Sequence, residues 1–155
     1  MASRTGFGRR RSWATLLAVE TTDRADGPLS ESIAAEAAFG EDLARHLQAV
    51  AARDLDALDA TVADEVVLVT ADGDVVTGRE PFLERHRDWF ATPGWKLDVK
   101  ELHRRVGADL ATCVLALDYR PDGDGGRVVP SILHLTFVRR GERWLMAEDQ
   151  NTPVR

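Results

Sequence analysis

Four histidines and one late aspartate hold most of the acid/base chemistry available to this chain. His46 falls inside an apolar helical stripe, three residues after Leu43 and four before Val50. His134 sits in Ile132-Leu133-His134-Leu135-Thr136, an otherwise apolar strand. Histidine titrates near neutrality and can both donate and accept a proton. If both rings enter one cavity, they form a neutral acid/base pair suited to isomerisation, dehydration or aldol-type cyclisation of a carbonyl compound. If not, each ring is satisfied by a neighbouring backbone group or carboxylate. Asp149 and Gln150 are adjacent on a strand and so point to opposite faces. Simple alternation puts Gln150 with Trp144, Met146 and Glu148, and Asp149 with Leu145, Ala147 and Asn151. An acid on an apolar strand face could orient a histidine, as the third member of a catalytic set often does.

His86, Trp89 and Phe90 share a helical face, which reads as core, with Trp89 also able to wall a pocket. Asp118 and Tyr119 near the end of a strand complete the candidate contacts, and His103 beside Arg104-Arg105 reads as exposed. No H-x-H or H-E-x-x-H spacing exists, and Cys113 is the only cysteine, so neither a metal site nor a disulfide is expected. No G-x-S-x-G elbow or phosphate-cradling glycine loop occurs, and no cofactor is expected. Gly123, Gly125 and Gly126 belong to a turn.

These residues need elements to position them. The 155 residues fit one domain able to bury its own core. The net charge of −6 disfavours nucleic acid, and no apolar run is long enough to span a membrane. Residues 1–30 hold five Arg against three acids and read as a flexible extension, with the folded domain over 31–155. Arg9-Arg10-Arg11 before a short apolar stretch resembles a targeting signal, but Glu20 ends that stretch at once, so a cytoplasmic home is expected.

Ser30 reads as the cap of a long helix ending near Ala52, and Asp54 as the cap of a short one from Leu55 to Thr61. Glu65–Thr70 and Val75–Thr77 flank an Asp72-Gly73 turn as a hairpin. A third helix covers Arg79 to Phe90. Four strands then follow, near Trp95–Leu102, Leu110–Tyr119, Val128–Arg139 and Trp144–Asn151. This order predicts an α+β fold with an antiparallel sheet rather than a βαβ repeat.

That order resembles the nuclear transport factor 2-like superfamily. Ala52-Arg53-Asp54-Leu55-Asp56-Ala57-Leu58 is similar to its first inter-helix turn. Val62-Ala63-Asp64-Glu65-Val66 resembles its entry into the first strand, and Gly78-Arg79-Glu80-Pro81-Phe82 the start of its third helix. The ending Trp144 to Pro153 resembles the SnoaL-like and SgcJ/EcaC-like branches. The resemblance implies a cone-shaped curved sheet, three helices from the N-terminal half on its concave face, an apolar pocket, and a homodimer formed through the sheet. Ketosteroid isomerases of this superfamily hold an oxyanion with a tyrosine and a protonated, buried aspartate, and use a carboxylate as base. Matched to them, the tyrosine falls on His46, the base on Thr70 and the buried aspartate on His134. Thr70 cannot serve as a carboxylate base, so the pattern does not fit steroid isomerisation.

Three functions remain open at this level. One is a cofactor-independent isomerase, cyclase or dehydratase acting on a small apolar carbonyl compound of secondary metabolism, such as a polyketide. The second is a non-catalytic protein for a small apolar ligand. The third is a dimeric association domain. The catalytic candidates are His46, His134 and Asp149, and the ligand contacts Thr70, Trp89, Phe90, Tyr119 and Gln150.

Overall fold

A computed structural model describes residues 27–154; the expected N-terminal extension lies, through residue 26, outside the described residues. The first helix, α1 (Pro28–Ala52), begins after Gly27, whose carbonyl accepts from Ser30 N at 2.8 Å. The cap thus lies three residues before the expected Ser30, because Pro28 fits the first helical turn. Phe39, Asp42, Leu43, His46, Ala49 and Val50 form its buried stripe.

Arg53 ends α1 in a left-handed conformation, φ 57°, and its N–H donates to the carbonyls of Ala49 and Val50. A side chain is strained there. Its guanidinium holds it in place, lying 4.2 Å from the Trp95 ring centre and donating to Trp95 O at 2.7 Å. Asp54 then caps α2 (Leu55–Asp59) as its residue type suggests, its carboxylate accepting from Ala57 N at 2.9 Å.

The strands are β1 (Val62–Val69), β2 (Val75–Thr77), β3 (Lys96–Val106), β4 (Leu110–Arg120), β5 (Val129–Arg140) and β6 (Arg143–Pro153), with α3 (Arg79–Ala91) between β2 and β3. β1 starts three residues before its expected limit and α2 is correspondingly shorter. Arg79 fixes that boundary, donating to Val62 O at 2.6 Å and to Asp59 at 3.0 Å. The six strands make one sheet in the order β2-β1-β6-β5-β4-β3. Four of its pairings are antiparallel, as expected of a hairpin and a meander; β1 and β6 run parallel. Those two strands lie far apart in sequence, so no tight turn forces them to oppose.

Two faces follow from the register. Leu68, Asp149, Leu135 and Cys113 are mutual partners across β1, β6, β5 and β4. This row lies on the concave face, under the helices. Phe39, Leu58, Phe82, Leu115, Leu135, Phe137 and Met146 are sealed there at 0% exposure. Burying each such side chain contributes about 1.5–3 kcal/mol. A bulge in β6 then alters the frame. Thr136 pairs with Glu148 but Phe137 pairs with Met146, leaving Ala147 as the extra residue. Trp144 and Met146 therefore share the concave face with Asp149 and Asn151, which corrects the grouping expected from strict alternation.

Candidate functional site

His46 projects from the inner stripe of α1 onto β5, its ring edge-on to Phe137 at 5.9 Å. Its Nδ1 lies 2.8 Å from Thr61 Oγ1, and Thr61 donates its own hydroxyl proton to Leu58 O at 2.7 Å. The threonine oxygen must therefore accept, so the network assigns the proton to His46 Nδ1 and the lone pair to Nε2. Burial, assisted by nearby His86, pushes the imidazole pKa down to about 3. This ring is neutral at any ordinary pH and is a poor proton acceptor.

His86 repeats the arrangement on α3. Its Nδ1 donates to Phe82 O, one turn earlier, at 2.9 Å. Burial lowers its pKa, partly offset by that backbone bond. The ring lies 4.1 Å from Phe82, 5.8 Å from Trp89 and 5.7 Å from Phe90. The sequence places His86 in the core, and the structure does so too, close enough for its charge to add to the lowering at His46.

Asp149 enters from β6 with leucines on both sides, Leu68 on β1 and Leu135 on β5. The residue as a whole is partly exposed, yet its Oδ1 is shut off from solvent and has no hydrogen-bond partner. Desolvation raises its pKa to about 7. Two residues on, Asn151 has the same exposure and the same defect, a buried Oδ1 without a donor. A buried unpaired acceptor costs about 1–3 kcal/mol, so two on one strand face need a reason.

An aromatic group closes one end of the concave face. Trp89 stacks on Trp95 at 4.5 Å, tilts against Phe90 at 5.5 Å and meets Tyr119 at 6.1 Å. Trp89 Nε1 donates to Tyr119 Oη at 3.4 Å, leaving the tyrosine proton free to be donated elsewhere. Trp89, Phe90 and Tyr119 are thus brought together. A cleft of about 360 Å³ opens at the margin of this group, lined by Ala51, Ala52, Arg53, Trp95, Lys96 and Leu97. None of His46, His86, Asp149 and Asn151 lines it.

The remaining candidates fall elsewhere. His134 pairs with Val114 and Gln150 and is one residue out of phase with the sealed Leu135. It therefore lies on the convex face, across the sheet from His46, and the two rings cannot work on one ligand. Gln150 shares that outer face and is exposed, so it does not line the interior. Thr70 is buried, but its hydroxyl accepts from Asp74 N at 3.1 Å and staples the β1–β2 turn. His103 is exposed, in keeping with its charged neighbours.

Sequence reasoning missed Asn151, Thr61 and Asp42. Asp42 is 4% exposed, takes the Trp144 N–H at 2.8 Å and the Arg143 Nε–H at 2.9 Å, and pairs with Arg45. It ties α1 to the start of β6. An aspartate four residues before His46 on the apolar stripe was the available signal. Among the described residues no group of three or more His, Cys, Asp or Glu could hold a metal ion, and no helix is long and apolar enough to cross a membrane.

Residues 42–151, from Asp42 through Asn151, match the family model described as the SnoaL-like domain. The chain belongs to the SnoaL-like family. Solved structures agree on the fold of this SnoaL-like domain. It is similar to a putative dehydratase of the nuclear transport factor 2-like family from Streptomyces avermitilis, with TM-score 0.70 and 17% identity over 83% of this chain and 99% of the other. It is also similar to a putative calcium/calmodulin-dependent protein kinase type II association domain from Thiobacillus denitrificans (TM-score 0.66, 23% identity, 77% and 94% coverage). A ketosteroid isomerase-like protein from Erwinia carotovora atroseptica gives TM-score 0.61 at 21% identity, covering 81% and 97%. No curated protein sequence matches the chain. The SnoaL-like family includes isomerases and dehydratases, and at these identities the neighbours speak to fold alone.

Proposed function

We propose that this SnoaL-like domain is a cofactor-independent acid/base enzyme for a small apolar carbonyl compound, with Asp149 as its proton carrier. One observation carries this reading: a carboxyl flanked by leucines on both neighbouring strands, one of its oxygens shut off from solvent without a partner, with its pKa raised to about 7. A group titrating at the working pH is best placed to take and return a proton. In its ionised form Asp149 removes the proton from the carbon next to the ligand carbonyl. The electron pair moves to the carbonyl oxygen, giving an enolate, and the protonated Asp149, once its proton has exchanged with solvent or before it does, delivers a proton to that carbon or to another. Tyr119, whose hydroxyl proton is uncommitted, is the candidate donor to the enolate oxygen. His46, with a pKa of about 3, cannot carry the proton; it supplies a neutral wall and an Nε2 acceptor. Phe90 and Trp89 supply apolar contact. This chemistry suits a polyketide-like compound of secondary metabolism.

The probe reaction is exchange of the methyl protons of acetophenone in heavy water, followed by proton NMR. The protein should accelerate exchange, and Asp149→Asn should lower the rate by about a hundredfold or more. Binding without accelerated exchange supports the competing reading, a carrier of small ligands, which the absence of a carboxylate at Thr70 favours.

We further propose that the convex face joins two copies of the chain. Val67, Val69, Val114 and Ile132 are half-buried there, around His134. One fold neighbour is described as an association domain, which is consistent with that assembly. His134→Glu should shift sedimentation from dimer towards monomer while leaving proton exchange unchanged; an unchanged dimer removes this face from consideration.

A further inference from the structure

The two orphaned acceptors on β6 differ in kind. Asp149 gains or loses a proton and so can meet either a donor or an acceptor. Asn151 has a fixed amide, and its inward oxygen can only accept. The oxygen is buried and unpartnered, and the Cα partner of Asn151 on β5 is Leu133. Leu115, sealed at 0% exposure, continues the same row on β4. A trapped water needs two to four polar partners to repay its immobilisation; the next two members of this row, Leu133 and Leu115, supply none, and Glu101 beyond them on β3 is engaged by Arg104. A donor carried by an apolar molecule meets the requirement better.

We propose that Asn151 is a specificity residue which selects ligands bearing a hydroxyl group remote from the carbonyl, so that the substrate class is a hydroxylated aromatic or alicyclic ketone. The inference rests on the acid/base reading of Asp149 and deepens it. Asp149 and Asn151 are two residues apart on one strand face, about 6–7 Å along the strand. The carbonyl end of the ligand lies at Asp149 and the hydroxyl donates to Asn151 Oδ1 at the far end. A hydroxyl on the ring opposite the acyl group of a phenyl ketone spans about that distance. A site built around an unpaired acceptor discriminates strongly, because the analogue without the hydroxyl leaves the acceptor stranded.

The test compares para-hydroxyacetophenone with acetophenone, each titrated into the full chain by ligand-observed NMR. The hydroxylated probe should bind about tenfold more tightly or better. Asn151→Leu should bring the two affinities within about twofold by weakening only the hydroxylated probe, and Asn151→Ala should do the same with a smaller side chain. Asp149→Asn should weaken both probes together. Equal affinities in the unaltered protein overturn the inference while leaving the acid/base reading intact, since exchange at acetophenone is measured separately. A preference that survives both Asn151 variants also overturns it. Tighter binding of para-methoxyacetophenone than of the hydroxylated probe means the amide presents its NH₂ group and reverses the proposal. Failure of both ketones to bind removes the site and this inference with it.

Discussion

Replacing Asp149 with asparagine should make the protein more stable, and by an amount that grows with pH. In the unfolded chain the carboxyl ionises near 3.8; in the folded protein desolvation holds it protonated up to about 7. Below the lower value both states carry the proton and the group is neutral towards folding. Between the two values the folded state binds a proton that the unfolded state releases, so stability falls as pH rises. Each step of one pH through that window costs about 1.4 kcal/mol, so the penalty is about 1.5 kcal/mol near pH 5 and about 4 kcal/mol near pH 8. Asparagine keeps the shape and removes the ionisation. Urea unfolding of both proteins, at the two pH values, should show the stabilising difference widening by about 2.5 kcal/mol. A variant that is less stable near pH 8, or a difference independent of pH, refutes the claim that this carboxyl is desolvated and unpaired. The same substitution should slow proton exchange by about a hundredfold or more, so stability and activity move in opposite directions.

His46 should produce the opposite slope. Its folded pKa of about 3 lies below the unfolded 6.5, so its contribution is intact above 6.5 and is lost as pH falls towards 3. The loss amounts to about 5 kcal/mol, and His46→Phe should flatten the acid limb of a Tm-against-pH curve; an unaltered limb counts against the assignment. Asp42→Ala should destabilise by about 3 kcal/mol in urea, because it strands the Trp144 N–H and two arginines at once; a change under about 1 kcal/mol means the α1–β6 tie is dispensable.

The order of elements is legible in the sequence because local signals agree with one another. Asp54 caps where an aspartate should, Asp72-Gly73 turns the hairpin, and the β4 and β5 boundaries fall within a residue of those expected. The site is less legible, for one physical reason: face assignment depends on register, and register depends on pairing. His134 reads as an interior residue on a string of apolar neighbours, yet a sheet with one face packed and the other half-buried is apolar on both sides. A period of two puts Gln150 with Trp144 and Met146, and the extra Ala147 breaks that period. Asp149 stands out from its residue type, but its role does not, since only the structure reveals that its neighbours are leucines rather than a histidine. Asn151 gives no signal at all: an amide near a strand end is usually wetted, and only the burial of its oxygen sets it apart.

The single surplus residue at Ala147 has a bearing on how such a chain can change over time. Residues beyond it on β6 keep their side because the bulge takes Ala147 out of the alternation. Deleting Ala147 would close the bulge and leave Asp149 and Asn151 facing inward, whereas drawing it into the regular ladder would turn both outward and bring Glu148, Gln150 and Thr152 in. Lineages that gain or lose this one position together with its bulge keep the same lining, so comparison by letter must open a gap at Ala147 before residues that meet the same molecule align.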